Sequence, residues 1–196
     1  RSMIKKIRME EAKKYLGLSS KKFTILIMGG SQGASSINEH IINNYQKYID
    51  NNIQIIWQTG KNSNNSIKDI SNPGIKIFDF INKMDIAYSA SDLVISRAGA
   101  TAISEILYLE KPSILIPYPY AANNHQEINA ITLEKKDASI KVTEEELKDG
   151  KLEDSIFGLV ESEDKINFYK KNTKEYSMNN SAYLIKEHIK DAINAR

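Results

Sequence analysis

The sequence contains no cysteine, one tryptophan and four prolines in 196 residues. The absence of cysteine excludes disulfides, thiol catalysis and cysteine-ligated zinc, and it fits a reducing compartment. No apolar run reaches the roughly 20 residues that a membrane-spanning helix needs, and no signal peptide is visible. The formal net charge of +2 is too small to favour nucleic acid or an anionic membrane as a partner.

The hydrophobic fraction of 41% and the charged fraction of 27% are those of a soluble globular protein. No repeat or long linker divides the chain, so we predict one domain over 1–196, with 1–4 as a cloning remnant, the cut edge of a longer chain or a domain linker. The three histidines, at 40, 125 and 188, lack the spacing of metal ligands. We therefore expect no metal.

Short apolar, β-branched runs alternate with helical patterns along the chain. The runs predict strands at 23–28, 53–57, 75–78, 93–95, 113–116 and 138–142. The helical patterns fall at 5–16, 34–48, 66–70, 84–89, 100–109, 125–135, 152–160 and 164–194. Thr143 and Glu146 resemble a capping box that opens a helix. This alternation predicts an α/β fold with a doubly wound parallel sheet and right-handed crossovers.

The stretch from Asp92 to Glu105 is the centre of the functional prediction. A buried strand is followed by a turn at Gly99 and by a helix that begins with small residues. Ligands of parallel sheets bind beyond the carboxyl ends of strands, where the free N–H groups of a helix start favour a diphosphate. Glu105 would then accept hydrogen bonds from sugar hydroxyls, and Arg97 would face either a phosphate or a neighbouring carboxylate. An ordinary strand–turn–helix with a surface glutamate explains the stretch equally well.

Three further stretches follow predicted strands. In 29–33, glycines would let the backbone approach a phosphate, with Ser31 as a hydroxyl donor, although the stretch matches neither a Walker A loop nor G-x-G-x-x-G. A tight structural turn is the alternative. In 80–84, backbone groups would read the edge of a planar base, or the stretch is an apolar plug on a helix start. In 117–130, amides suit sugar hydroxyls, and His125 is either a base or a capping or surface residue.

The order of these stretches closely resembles the C-terminal half of the MurG family, the N-acetylglucosaminyltransferases of peptidoglycan synthesis. The motifs that carry the resemblance are Ile-Met-Gly-Gly-Ser-Gln-Gly-Ala at 27–34, Ile-Asn at 37–38, Trp-Gln-Thr-Gly at 57–60, Phe-Ile at 80–81 with Met84, Ser-Arg-Ala-Gly-Ala at 96–100 with Ser104 and Glu105, Pro117, and His-Gln at 125–126 with Asn129 and Ala130.

The resemblance implies one Rossmann-like half of a GT-B glycosyltransferase, the half that holds the donor UDP-GlcNAc, without cofactor or metal. It implies that Ser31 touches the diphosphate, Ile81 presents backbone groups to uracil, Glu105 holds the ribose and Gln126 holds the GlcNAc hydroxyls. Where the family commonly has a phosphate-contacting threonine, this chain carries Ala102, one position after Thr101. The substrate-binding residues implied in full are Gly30, Ser31, Gln32, Phe80, Ile81, Met84, Arg97, Gly99, Ala100, Thr101, Ala102, Ile103, Ser104, Glu105, His125, Gln126 and Asn129.

The implied reaction is inverting transfer of GlcNAc to the C4 hydroxyl of the muramoyl sugar of lipid I, giving lipid II and UDP. The acceptor site, the catalytic base and the contact with the cytoplasmic face of the bacterial membrane would belong to an N-terminal domain that this chain lacks. We therefore expect no catalytic residue here, and a soluble fragment that binds UDP or UDP-GlcNAc. The alternatives are another GT-B enzyme, such as a glycolipid glycosyltransferase or a UDP-GlcNAc epimerase, and a non-catalytic regulatory subunit with a separately encoded partner.

Overall fold

The computed structural model describes residues 4–30, 33–61, 67 and 69–177. Its centre is one six-stranded, wholly parallel sheet in the order β3-β2-β1-β4-β5-β6. The strands are β1 (Phe23–Met28), β2 (Ile53–Gln58), β3 (Ile75–Phe78), β4 (Leu93–Ser96), β5 (Ser113–Leu115) and β6 (Ile140–Lys141). The described helices are α1 (Met9–Tyr15), α2 (Ser35–Asp50), α3 (Met84–Ala90), α4 (Ala100–Tyr108), α5 (His125–Glu134), α6 (Lys151–Val160) and α7 (163–177).

Alternate residues of the central strands pack on opposite faces of the sheet, because successive side chains of a strand point to opposite sides. Ile25 and Ile27 belong to one buried cluster, together with Trp57. Leu26 and Met28 belong to a second cluster on the other face. Helices cover both faces, which is why the central strands are continuous apolar runs rather than alternating patterns.

The strand order reverses between β1 and β4, which pair in parallel although β2 and β3 lie between them in sequence. The chain passes from β1 through α2 to β2 on one side of this point, and from β4 through α4 to β5 on the other. The connections therefore diverge at this point and leave a crevice beyond the strand ends. The sequence-predicted fold class, a Rossmann-like doubly wound parallel α/β sheet, is confirmed.

Each predicted strand is found, with bounds that differ from the prediction by no more than two residues. The first helix begins later than predicted, at Met9, and the chain leaves it at Gly17, which has a φ of +64°. Residues 66 and 68 of the helical pattern at 66–70 lie outside the described residues, and so does the part of the last predicted helix after residue 177. Within the described ranges, no helix has the length and apolarity to cross a bilayer.

The capping box forms, but the prediction that it opens a helix is wrong. The Thr143 N–H donates to Glu146 Oε2 at 2.8 Å, and the Glu146 N–H donates to Thr143 Oγ1 at 3.2 Å. These bonds close a turn, and α6 starts only at Lys151. Gly150 separates the two with a φ of +80°, a left-handed conformation that a continuous right-handed helix does not accommodate.

Candidate functional site

A cleft of about 1130 Å³ opens at the carboxyl ends of the strands, at the point where the strand order reverses. It is bounded by the end of β2 and by the segments that follow β1, β3, β4, β5 and β6. Of the residues that the sequence assigns to a donor site, those that line it are Gly30, Phe80, Ile81, Met84, Arg97, Gly99, Ala100, Thr101, Ala102, Glu105 and Gln126. Residues that are distant in sequence are thus brought to one place by the parallel sheet.

The three glycines that follow β1, Gly29, Gly30 and Gly33, line the wall of the cleft. A Cβ on Gly29 would lie 2.4 Å from the backbone nitrogen of Ala34, and one on Gly33 would lie 2.2 Å from the carbonyl oxygen of Thr59. Gly30 adopts a φ of +90° and lines the cleft. Packing and conformation therefore both require glycine in this stretch. Ser31 and Gln32 lie outside the described residues.

The start of α4 borders the cleft opposite this glycine-rich turn. Gly99 is the N-cap with extended backbone, and no side chain caps the helix. The N–H groups of a first helical turn have no partner within the helix and carry the positive end of its dipole. Because Ala100, Thr101 and Ala102 line the cleft, this helix end offers an anion backbone donors that do not depend on a hydroxyl at position 102.

Two residues of this helix that the sequence analysis assigned to the donor site do not line the cleft. The Ile103 side chain is buried in the core, at 8% exposure. The Ser104 hydroxyl is exposed and donates to the Ala100 carbonyl at 2.8 Å.

Glu105 lies one turn further along α4, where its carboxylate reaches the cleft. The buried phenol of Tyr88 donates to Glu105 Oε2 at 3.0 Å. This hydrogen bond helps to orient the carboxylate, and carboxylate oxygens are acceptors that suit hydroxyl donors. This arrangement suits a vicinal diol such as that of a ribose.

Arg97 is held by a carboxylate, one of the two partners that the sequence left open. Its guanidinium donates to Glu144 and, at 3.0 Å, to the Ser36 hydroxyl. It also donates to the carbonyls of Ile116 and Pro117, at 3.3 and 3.2 Å. Its side chain is only 12% exposed. Arg97 therefore joins the start of α2, the end of β5 and the turn after β6 around the cleft.

The segment after β3 presents an exposed Phe80, a buried Ile81 and the side chain of Met84. The N–H of Ile81 donates to Gln58 Oε1 at 3.0 Å. The Ile81 N–H, which the sequence analysis assigns to contact with a nucleobase, is thus hydrogen-bonded to Gln58. Gln58 was given no role of its own from the sequence.

The residues assigned in α5 divide into two groups. Gln126 lines the cleft, and its Oε1 accepts from the Tyr118 N–H at 3.0 Å. His125 is exposed, with Nδ1 2.7 Å from the Ala122 carbonyl, and it does not line the cleft. This placement matches the capping or surface interpretation of His125. Asn129 also lies off the cleft, and its amide donates to the Ala98 carbonyl at 3.0 Å.

The cleft also contains polar residues that were not assigned to it from the sequence, among them Ser36, Gln58, Tyr118 and Glu144. Gln58 and Tyr118 fall within or beside the quoted motifs, so their position after a predicted strand was the available signal. Ser36 and Glu144 gave none, because only the folded chain brings them to Arg97. The described residues contain no group of three or more histidine, aspartate or glutamate side chains able to hold a metal ion.

The profile of the glycosyltransferase family 28 C-terminal domain matches residues 24–189. The chain belongs to this family.

Similar proteins include the UDP-N-acetylglucosamine–N-acetylmuramyl-(pentapeptide) pyrophosphoryl-undecaprenol N-acetylglucosamine transferases of Christiangramia forsetii and Halothermothrix orenii. The first is 38% identical over 94% of this chain and 50% of its own, and the second is 45% identical over 73% and 41%. The crystal structure of Acinetobacter baumannii MurG has the same fold, with a TM-score of 0.70 and 21% identity over 94% of this chain and 54% of its own. The chain thus spans about half the length of the curated relatives it matches.

Proposed function

We propose that this chain is the donor-binding half of the peptidoglycan glycosyltransferase that moves GlcNAc from UDP-GlcNAc to the C4 hydroxyl of lipid I. The observation that carries the proposal is the convergence of four features on one cleft. They are the glycine-rich turn, the uncapped start of α4, the Glu105 carboxylate and the loop at Phe80–Met84. The names of the relatives point to the same reaction.

Each part of a nucleotide sugar has a chemical counterpart in the cleft. The start of α4 and the glycine-rich turn suit the diphosphate, since both offer backbone N–H groups or close backbone approach. Glu105 suits the ribose hydroxyls, Gln126 suits the hydroxyls of the sugar, and the segment at Phe80–Met84 suits the uracil.

The same groups would assist departure of the leaving group. Negative charge grows on UDP as the bond to C1 of GlcNAc breaks, and N–H groups fixed in advance stabilise that charge without rearranging. The acceptor hydroxyl must also lose its proton to a base. We propose that this base, the lipid I site and the peripheral contact with the cytoplasmic face of the membrane lie in an N-terminal domain. This chain then binds the donor and does not transfer the sugar.

Calorimetric titration of the chain with UDP-GlcNAc and UDP tests the binding site. We expect Glu105→Ala to weaken binding about tenfold or more, because a hydrogen bond to a charged group is lost. Gln126→Ala should weaken UDP-GlcNAc more than UDP. Two neighbours that do not line the cleft serve as controls, Tyr108→Ala on α4 and Glu127→Ala on α5, and both should bind normally. Unchanged binding in both Glu105→Ala and Gln126→Ala would refute the site.

A second measurement concerns the reaction class. The chain should prefer UDP-GlcNAc to UDP-galactose and UDP-glucose, and it should neither epimerise UDP-GlcNAc nor form lipid II from lipid I. Robust transfer by the chain alone would show that the base lies within it. Epimerisation would instead favour the alternative enzyme class.

A further inference from the structure

Gln58, the last residue of β2, bonds to two cleft segments at once. Its Nε2 donates to the Gly30 carbonyl and its Oε1 accepts from the Ile81 N–H, each at 3.0 Å. The residue is 5% exposed. Loss of this carboxamide is costly chiefly at the buried Ile81 N–H, which would retain its desolvation penalty, because the Gly30 carbonyl also accepts from the Gly33 N–H at 3.2 Å.

The sheet order explains how one side chain reaches both segments. β2 lies between β1 and β3, and Gln58 is paired with Met28 on one side and Phe78 on the other. Gly30 follows β1 by two residues and Ile81 follows β3 by three. The end of the middle strand is therefore a position from which a single amide reaches the segments that follow both of its neighbours.

We infer that Gln58 is a positioning residue that fixes the glycine-rich turn relative to the loop at Phe80–Met84. The inference rests on the proposed function, in which the turn meets the diphosphate and the loop meets the base. Gln58 then sets the spacing between these two parts of the ligand. Binding energy follows from this spacing because a site that is already in the bound geometry avoids the entropic cost of ordering its loops.

The chain offers a matched control in Gln54. This residue lies on the same strand, is 3% exposed, and bonds through its side-chain amide to Ser19 and Thr24. Those partners precede or begin β1, so they lie at the end of the sheet away from the cleft. Replacing either glutamine by leucine removes the hydrogen bonds of a buried amide, but only one of the two changes touches the cleft.

The test is calorimetric titration with UDP of the wild-type chain, Gln58→Leu, Gln58→Asn and Gln54→Leu, with the unfolding midpoint of each. We expect both leucine variants to unfold at lower temperature, and Gln58→Leu to bind UDP about tenfold more weakly. Gln58→Asn keeps the amide but is too short to span both partners, so it should also bind weakly. Gln54→Leu should bind as the wild type does.

Amide hydrogen exchange at Ile81 provides a readout that does not require a ligand. It should be slow in the wild type and in Gln54→Leu, and faster in Gln58→Leu and Gln58→Asn. If Gln58→Leu is too unstable to titrate, Gln58→Asn carries both measurements.

The outcomes separate the two proposals. A wild type that does not bind UDP overturns the proposed function, whereas unaltered UDP affinity in both Gln58 variants overturns only the inference. Tighter UDP binding by Gln58→Leu would also overturn the inference. It would mean that the Gln58 carboxamide of the wild type competes with the uracil for the Ile81 N–H. Equal losses of UDP affinity in Gln54→Leu and Gln58→Leu would overturn the inference, because Gln58 would then affect binding only through the stability of the fold.

Discussion

At the scale of single residues, glycines at the cleft serve different physical purposes. Gly33 combines a φ of +84° with a Cβ position only 2.2 Å from the Thr59 carbonyl oxygen, so any side chain would displace backbone. Gly99 has an ordinary φ of −73°, and a Cβ there would meet nothing within 4 Å. The first glycine is required by the fold, whereas the second borders the open cleft.

We predict that Gly33→Ala and Gly99→Ala separate stability from binding. Gly33→Ala should destabilise the chain by more than about 1 kcal/mol, because alanine disfavours a positive φ and its Cβ clashes with backbone. Gly99→Ala should cost less than about 1 kcal/mol, the range of N-cap changes, yet weaken UDP binding by placing a methyl group at the cleft. Urea denaturation and calorimetry measure the two effects. A stable Gly33→Ala, or a Gly99→Ala with full UDP affinity, would contradict the prediction.

Some residues of the candidate site could be predicted from the sequence, and others could not. Glu105 and Gln126 follow strands whose apolar runs are plain in the sequence, so their placement at the strand ends could be deduced. Gln58 also ends a strand, but its function depends on β2 lying between β1 and β3. Apolar runs reveal that strands exist but not their order, so the partners of Gln58 were not deducible.

At the scale of elements, the turn closed by Thr143 and Glu146 acts on the cleft. It carries Glu144, which accepts from Arg97 and, at 2.6 Å, from the Ser36 hydroxyl. The sequence predicted the reciprocal bonds of this box correctly, because they depend on local spacing alone. It predicted a helix wrongly, because the left-handed Gly150 interrupts the chain before α6.

This turn should have a specific dependence on pH. A hydrogen bond from Lys151, together with the Thr143 N–H, lowers the pKa of Glu146 from 4.5 to about 2. A carboxylate with a depressed pKa stabilises the fold above its ordinary pKa, and that contribution disappears as the pH falls through the folded-state value. The wild type should therefore exceed Glu146→Gln in stability by a constant amount down to about pH 5, and the excess should vanish towards pH 2.

Urea midpoints of both proteins from pH 7 to pH 2 measure this excess. Glu145→Gln, which removes an equal charge from an exposed neighbour, should change the midpoint little at neutral pH. A stability excess over Glu146→Gln that is the same at pH 2 and pH 7 would show that the carboxylate does not act through its charge.

At the scale of the whole molecule, one sheet organises both the core and the cleft. The two buried clusters lie on its opposite faces, and β1, β2, β4 and β5 contribute alternate residues to each. The doubly wound class was predictable from the alternation of strand and helix. The cleft at the reversal of strand order follows from that class, but the contact of Arg97 with Glu144 arises only from tertiary packing.

Because the strands are shared, the two faces should unfold together. Trp57, the one tryptophan of the chain, is fully buried in the first cluster, where its Nε1 donates to Asn38 Oδ1 at 3.1 Å. Ile106 is fully buried in the second cluster, on α4. We predict that Ile106→Ala costs about 2–5 kcal/mol and lowers the urea midpoint of Trp57 fluorescence as much as that of far-UV circular dichroism.

Tyr108→Ala provides the comparison, because Tyr108 is on the same helix but is 52% exposed. This change should leave both midpoints almost unmoved. If Ile106→Ala lowered the circular dichroism midpoint while the Trp57 transition stayed in place, the two faces would be separate folding units. The cleft would then join two units of independent stability, and ligand binding would protect α4 without protecting Trp57. Coincident shifts would instead mean that UDP binding raises both midpoints equally, since a ligand that binds only the folded state stabilises the whole cooperative unit.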